Sequence, residues 1–332
     1  MGGQRQDTFI SKEMTSQLKG IAVLMVFVSH IPQVTNLPTS IANLLAPMGY
    51  HGVAAFLFLS GYGCYISLEK NENIINFIKK RIQAILPSLI VVTIIAAIAN
   101  YIVNGVIYSP LELILNSVGL SHNILQLTWY IEFQYFCYMS LCIINKCIKR
   151  EHRVIAFFVL AIIIYILSIT VHEANLWGLN YASYSIGMCI ALYRRKIMEF
   201  IIMNSKCRIL CILAGFILLW IAFFGVTYFI LHNPTELVLR NILKGTIASM
   251  FVFVLCGFIA LTNNKTYRLL ECIGSFSYEF YLIHGIFIFV IPSILNNSLF
   301  SVMLMFLFSA FASCLMKKLE SRFLLLLEYF KL

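Results

Sequence analysis

The chain is a succession of apolar runs, each long enough to cross the roughly 30 Å hydrocarbon core of a bilayer and each bounded by short charged or Pro/Asn-containing segments. About ten such runs can be counted, near residues 15 to 33, 51 to 68, 84 to 106, 124 to 145, 154 to 171, 176 to 193, 208 to 231, 241 to 262, 275 to 295 and 299 to 316. With 61% hydrophobic and only 11% charged residues over 332 positions, too few polar groups exist to coat a water-soluble globule. The pattern predicts an all-α, multi-pass bundle of about ten transmembrane helices in the cell membrane. It forms one domain over 1–332, with the bundle at about 15–316 and short cytoplasmic tails at 1–14 and 317–332.

Lysine and arginine set the expected orientation. Alternate connections hold Lys70, Lys79, Lys80 and Arg81, then Lys146, Lys149, Arg150 and Arg153, then Arg194, Arg195, Lys196, Lys206 and Arg208, then Lys265 and Arg268. Of the 24 basic residues only Arg240 and Lys244 fall on the opposite side, which makes the basic side cytoplasmic and, with an even number of spans, puts both termini there. The net charge of +10 is thereby read as topology. A nucleic-acid partner would require one solvated basic face, whereas this charge is spread over several loops and two tails. The ten cysteines show no CxxC and no metal-ligand spacing, so reduced, buried thiols and no bound metal are expected. A cleaved signal peptide is a poor account of the first run, which carries Lys19 and His30 and lacks an A-x-A site.

Polar groups inside apolar runs are costly and mark function. On the first run Lys19 and His30 are eleven residues apart, about three helical turns, so they share a face roughly 16 Å apart along the axis. In the ninth run Ser277, Tyr281 and His284 are spaced i, i+4, i+7, which lines a hydroxyl, a phenol and an imidazole along one stripe. Interhelical hydrogen bonding is the alternative account of that stripe. In the fourth run Glu132 follows Trp129 and could match the depth of His30, where a carboxylate can fix an imidazole's tautomer. Equally it could be neutral, or snorkel to the outer surface. Ser60, beside Gly61 in the second run, sits where helices approach closely or where a thin backbone admits a ligand arm. Lys79, Lys80 and Arg81, with Pro87 beyond, form a basic mouth to the third run.

Taken together, Lys19-x10-His30, the Leu59-Ser60-Gly61-Tyr62 end of the second run, Arg81-x5-Pro87, Trp129, and Ser277-Tyr278-x-x-Tyr281-Leu282-Ile283-His284 resemble the membrane acyltransferase type 3 family over about 15 to 316. That resemblance implies a ten-helix inner-membrane enzyme. Such an enzyme moves an acyl group, commonly acetyl, from cytoplasmic acyl-CoA to hydroxyls or amines of glycans and other acceptors. It implies His30 as the catalytic histidine, Lys19 in place of the family's usual arginine, and Arg81 in the acyl-CoA phosphate site. The sequence departs from the family in having Ala84 where a second basic residue is common, and in the short separation of Glu132 and Gln134 from Trp129.

The chemistry of acyl transfer fits this layout. A polyanionic nucleotide head cannot enter hydrocarbon cheaply, so Lys79, Lys80 and Arg81, with Lys19 behind them, would hold it at the inner surface while its arm reaches His30. His30 would then deprotonate an acceptor hydroxyl or take the acyl group itself, with His284 and Tyr281 orienting the acceptor or stabilising the oxyanion. The expected partners are acyl-CoA as co-substrate, a glycan or lipid-linked saccharide acceptor, and membrane lipid. Two other classes also accommodate intramembrane His and Glu. A secondary transporter would use them as a proton relay, and a membrane sensor or scaffold would not need a basic mouth and a histidine along one path.

Overall fold

The structure is a computed structural model, and it describes residues 10–71, 73–171, 176–178, 180–203, 267–290 and 299–329, together with scattered helical positions between 214 and 255. Every described element is helical, in keeping with the rule that only internally hydrogen-bonded backbone is stable in hydrocarbon. In chain order these are α1 (Lys12–Val34), α2 (Thr39–Leu45), α3 (Met48–Lys70), α4 (Ile74–Asn104), α5 (Pro110–Ser117), α6 (Trp129–Cys147), α7 (Arg153–Thr170), α8 (Ser183–Met203), α9 (Arg268–Ser275), α10 (Ser277–Gly285) and α11 (Leu299–Tyr329). Five described helical stretches are long and apolar enough to cross a membrane: Lys12–Val34, Thr39–Lys70, Ile74–Asn104, Arg150–Thr170 and Phe300–Arg322. They coincide with the first, second, third, fifth and last expected runs. Most positions of the runs at 208 to 231 and 241 to 262 lie outside the described residues.

Three boundaries differ from the sequence expectation. The basic cluster Lys79, Lys80 and Arg81 is not in a loop, because α4 starts at Ile74 and nothing between Ile74 and Pro87 breaks a helix. The last span does not give way to a tail at 317, since Lys317 to Tyr329 continue α11 through a string of strong helix formers. The ninth run is not one helix. It breaks at Phe276, whose backbone (φ −119°, ψ 20°) lies outside the helical region, while Ser277 Oγ donates to the Gly274 carbonyl at 2.9 Å, a serine-to-backbone bond of the kind that bends helices. A π turn, Ile286–Val290, follows α10.

The helices group into two units. One comprises Met1–Ala22, Tyr50–Asn73 and Phe136–Cys272. Within it α3 and α8 touch backbone to backbone: a Cβ on Gly61 would lie 2.2 Å from the Tyr184 carbonyl oxygen, and one on Gly187 would lie 2.1 Å from that of Phe58. This is the close helix approach that small residues permit, and it places helix α8 on the face of Gly61, one position from Ser60. The start of α1 is tied to this unit by Gln17 Nε2 donating to Glu271 Oε1 at 2.6 Å and Ser16 Oγ to the Glu271 carbonyl at 3.0 Å.

The second unit comprises Val23–Gly49, Ile74–Tyr135 and Ile273–Leu332. Helix α5 opens on a capping box in which Ser109 and Glu112 each accept the other's backbone N–H, and these bonds hold the Glu112 carboxyl below its usual range. Asn116, buried at its end, accepts the Ile124 N–H at 3.0 Å and so fixes the segment that leads into α6. Helix α10 packs against a single 3₁₀ turn, Gln126–Thr128, so closely that a Cβ on Gly285 would lie 2.7 Å from Leu127 Cδ1.

Candidate active site

Within the second unit, α1 and α10 bring their histidines together. His30 Nδ1 lies 3.3 Å from His284 Nε2, with ring centroids 5.3 Å apart. His284 is completely buried, and its other nitrogen, Nδ1, is 2.8 Å from the Phe280 carbonyl one turn back. A carbonyl only accepts, so Nδ1 of His284 carries the proton and Nε2 carries the lone pair in the neutral ring. His30 must then donate through Nδ1–H, which leaves the lone pair of His30 on Nε2. The Phe280 carbonyl thus sets the tautomer of His284, and His284 in turn engages Nδ1 of His30, whose ring also bonds the Val26 carbonyl.

Aromatic rings flank His284. Phe27, one turn before His30 on α1, meets Phe280 edge-on at 5.7 Å, Phe306 at 5.3 Å and the His284 ring at 6.2 Å. Phe280 stacks on His284 at 5.7 Å. These rings exclude water from one side of His284, which strengthens its polar contacts. Tyr281, on the neighbouring face, donates its hydroxyl to the Leu127 carbonyl at 3.0 Å and packs against Tyr130 at 5.6 Å. Tyr130 in turn donates to Gln134 Oε1 at 2.9 Å.

Of the stripe expected in the ninth run, His284 is therefore beside His30 and Tyr281 beside the turn that precedes Trp129, whereas Ser277 donates locally, to the Gly274 carbonyl. Glu132 is not the carboxylate that orients His30. Its Oε1 accepts from His122 Nδ1 at 3.0 Å, and the orienting position next to His30 is held by His284. Lys79 and Lys80 are exposed, and Arg81 is half-buried with its guanidinium 5.1 Å from the Phe77 ring, all three on the first turns of α4. Lys19 lies on α1 with His30, as expected. Ser60 Oγ is 3.7 Å from Cys64 Sγ on its own helix.

One group escaped the sequence reading. Glu279, also on α10, is 1% exposed, accepts from Ser88 Oγ on α4 at 3.3 Å, and pairs with Lys317 Nζ of α11 at 3.2 Å. Lys317 also reaches Glu320 at 2.9 Å. Tyr278 adds a further tie, donating to the Ile85 carbonyl of α4 at 3.1 Å. Glu279 stands about 200° around the helix from Ser277, so one face of α10 carries the imidazole and the opposite face carries its anchor. The signal that could have found it was an acid inside an apolar run.

A lone-pair nitrogen held in a fixed tautomer, backed by a second imidazole and walled by phenylalanines, can accept a proton from a hydroxyl. Among the described residues no group of three or more His, Cys, Asp or Glu side chains could hold a metal ion. No curated protein and no solved structure matches the chain. Residues 16–317, which include both histidines, match the family model described as an acyltransferase domain, and the chain belongs to the membrane acyltransferase type 3 family.

Proposed function

We propose that the protein transfers an acyl group, acetyl in the simplest case, from cytoplasmic acyl-CoA to a hydroxyl of a glycan or lipid-linked saccharide at the cytoplasmic membrane, with His30 as the general base. The observation that carries this reading is the His30–His284 pair: the tautomer it favours leaves Nε2 of His30 basic, and the chain belongs to an acyltransferase family. That membership favours acyl transfer over a transporter's proton relay.

In the proposed reaction the acceptor O–H gives its proton to His30 Nε2 while its oxygen bonds to the thioester carbonyl carbon. The C–S bond then breaks, and the departing CoA thiolate recovers the proton from His30. As His30 becomes imidazolium, its Nδ1–H bond to His284 Nε2 becomes charge-assisted and stronger, so His284 acts as a positioning residue in the manner of the third member of a hydrolase triad. Tyr281, whose hydroxyl hydrogen is directed at Leu127, holds α10 in register. Lys79, Lys80, Arg81 and Lys19 supply the cations for the phosphates of the donor. The Glu132–His122 pair would meet the acceptor.

The test is to incubate membranes with labelled acetyl-CoA and follow label into lipid and glycan fractions. Transfer should fall at least about a hundredfold in His30→Ala, and transfer retained in that variant removes His30 from the reaction. Arg81→Glu should raise the apparent KM for acetyl-CoA and leave that for the acceptor unmoved, and an unchanged donor dependence would clear Arg81 of the phosphate site.

A further inference from the structure

The first unit contains a cavity of about 780 Å³, none of whose lining residues takes part in the acyl transfer proposed above, formed by the end of α3, the residues leading into α7 and the middle of α8. We propose that it is a binding site for a phosphate-bearing anion. Its volume falls within the range of small-molecule sites. Five cations line it, Lys70, Arg150, Arg194, Arg195 and Lys196, against the two carboxylates of Glu69 and Glu151.

Topology alone does not account for this arrangement. Charge that merely orients a span needs only to lie near water, yet Arg194 is 8% exposed. Its guanidinium is fixed in place: Nη2 lies 2.7 Å from Glu69 Oε2 and Nη1 donates to the Ala191 carbonyl at 2.9 Å. The second oxygen of Glu69 takes Arg150 Nη2 at 3.0 Å. One carboxylate therefore pre-orients two guanidinium groups, and preorganised guanidinium is the side chain best matched to phosphate oxygens. Arg194 Nε, buried, has no acceptor among the described residues. A buried N–H without an acceptor is costly and leaves that edge of the guanidinium charge uncompensated. Lys70, Arg195 and Lys196 add their charge to the same lining, with Lys196 Nζ 5.8 Å from the Tyr193 ring. Ile66, Val154 and Leu192 add an apolar wall, which suits a phosphate attached to an apolar or aromatic body.

Two sources carry that chemistry, a soluble nucleotide and the headgroup of an anionic lipid. The inference stands apart from the acyl-transfer reading and is tested by binding, not turnover. The full-length protein is purified in a Lys79→Glu, Lys80→Glu, Arg81→Glu background, which removes the basic face of α4 from the measurement. It is titrated with adenosine 3′,5′-bisphosphate and, separately, assayed for thermal stabilisation in nanodiscs of phosphatidylglycerol against phosphatidylcholine. Arg195→Glu with Lys196→Glu should weaken the productive ligand at least about tenfold, the loss of one charge-assisted contact. Glu151→Lys, an exposed change that cannot unfold the site, should tighten it. Bisphosphate binding that follows this pattern identifies a nucleotide site, and phosphatidylglycerol stabilisation that follows it identifies a lipid site. No response to either anion, or a response that none of these variants moves, overturns the proposal. Loss of acetyl transfer in His30→Ala leaves it intact.

Discussion

His30 and His284, 254 residues apart in sequence, stand 3.3 Å apart nitrogen to nitrogen, and the Phe280 carbonyl fixes the proton of His284 on Nδ1. The consequence is an asymmetric pair in which His284 donates backward along its own helix and accepts forward from His30. The two residues should therefore fail differently. On the proposed mechanism His30→Ala removes the base. His284→Gln keeps a group that can accept from His30 Nδ1–H, and should retain more transfer than His284→Phe, which fills the same volume but cannot accept. Rates of labelled acetyl transfer at saturating donor distinguish the two, and equal losses in Gln and Phe variants would exclude a positioning role for His284.

Glu132 and His122 form a second pair, 3.0 Å apart and only part-buried. If the pair acts as one unit on the acceptor side, Glu132→Gln, His122→Ala and the double variant should raise the acceptor KM by the same factor, because the second change removes nothing that the first has left. The donor KM should not move. A double variant whose loss equals the product of the single losses would make them independent groups.

Hydropathy was enough to locate α1, α3, α4 and α7, since each is an uninterrupted apolar run with charges at its ends. It was not enough for the ninth run, where Phe276 breaks the helix: the break depends on a Ser277 hydroxyl choosing the Gly274 carbonyl, a local competition that an apolar average does not register. The site was legible to the same degree. His30, Tyr281 and His284 stand out because ionisable or hydroxylated groups are rare in apolar runs and their helical spacing can be counted. Their partners cannot be counted. Nothing in the spacing says that the carboxylate of Glu132 belongs to His122, ten residues earlier, or that His30 faces His284, because those pairings are set by how helices distant in sequence pack.

The backbone contact of α3 with α8 gives a stability prediction free of the chemistry. Each helix presents one glycine to the other's carbonyl, Gly61 to Tyr184 and Gly187 to Phe58. Neither carbonyl can swing aside as a flexible side chain would, so a methyl group forces the helices apart. Gly61→Ala and Gly187→Ala should each destabilise by about 1–3 kcal/mol or more, read as a lowered thermal midpoint of the purified protein. Gly63→Ala on the same helix, where an added Cβ meets nothing within 4 Å, should be neutral or slightly stabilising through helix propensity. If all three behave alike, close approach is not what the two glycines supply.

The anchor on the far face of α10 separates stability from catalysis. Glu279 is 1% exposed, and its counter-ion Lys317 also serves Glu320. Lys317→Met strands two carboxylates, one of them out of reach of water, and breaking a buried pair from one side costs about 3–5 kcal/mol. Removing both charges with Glu279→Gln and Lys317→Met leaves a neutral amide that can still accept from Ser88, so the double variant should recover a large part of that loss. Because Glu279 and His284 share α10, any slackening of the anchor should appear in transfer as a lower kcat with the donor KM unchanged, since the His30–His284 distance would loosen while the basic face of α4 stays as it is. A double variant no more stable than Lys317→Met alone would mean that the pair matters for its charge and not for relieving a stranded carboxylate. A donor KM that rises with it would place Glu279 in the donor site instead of behind the imidazole.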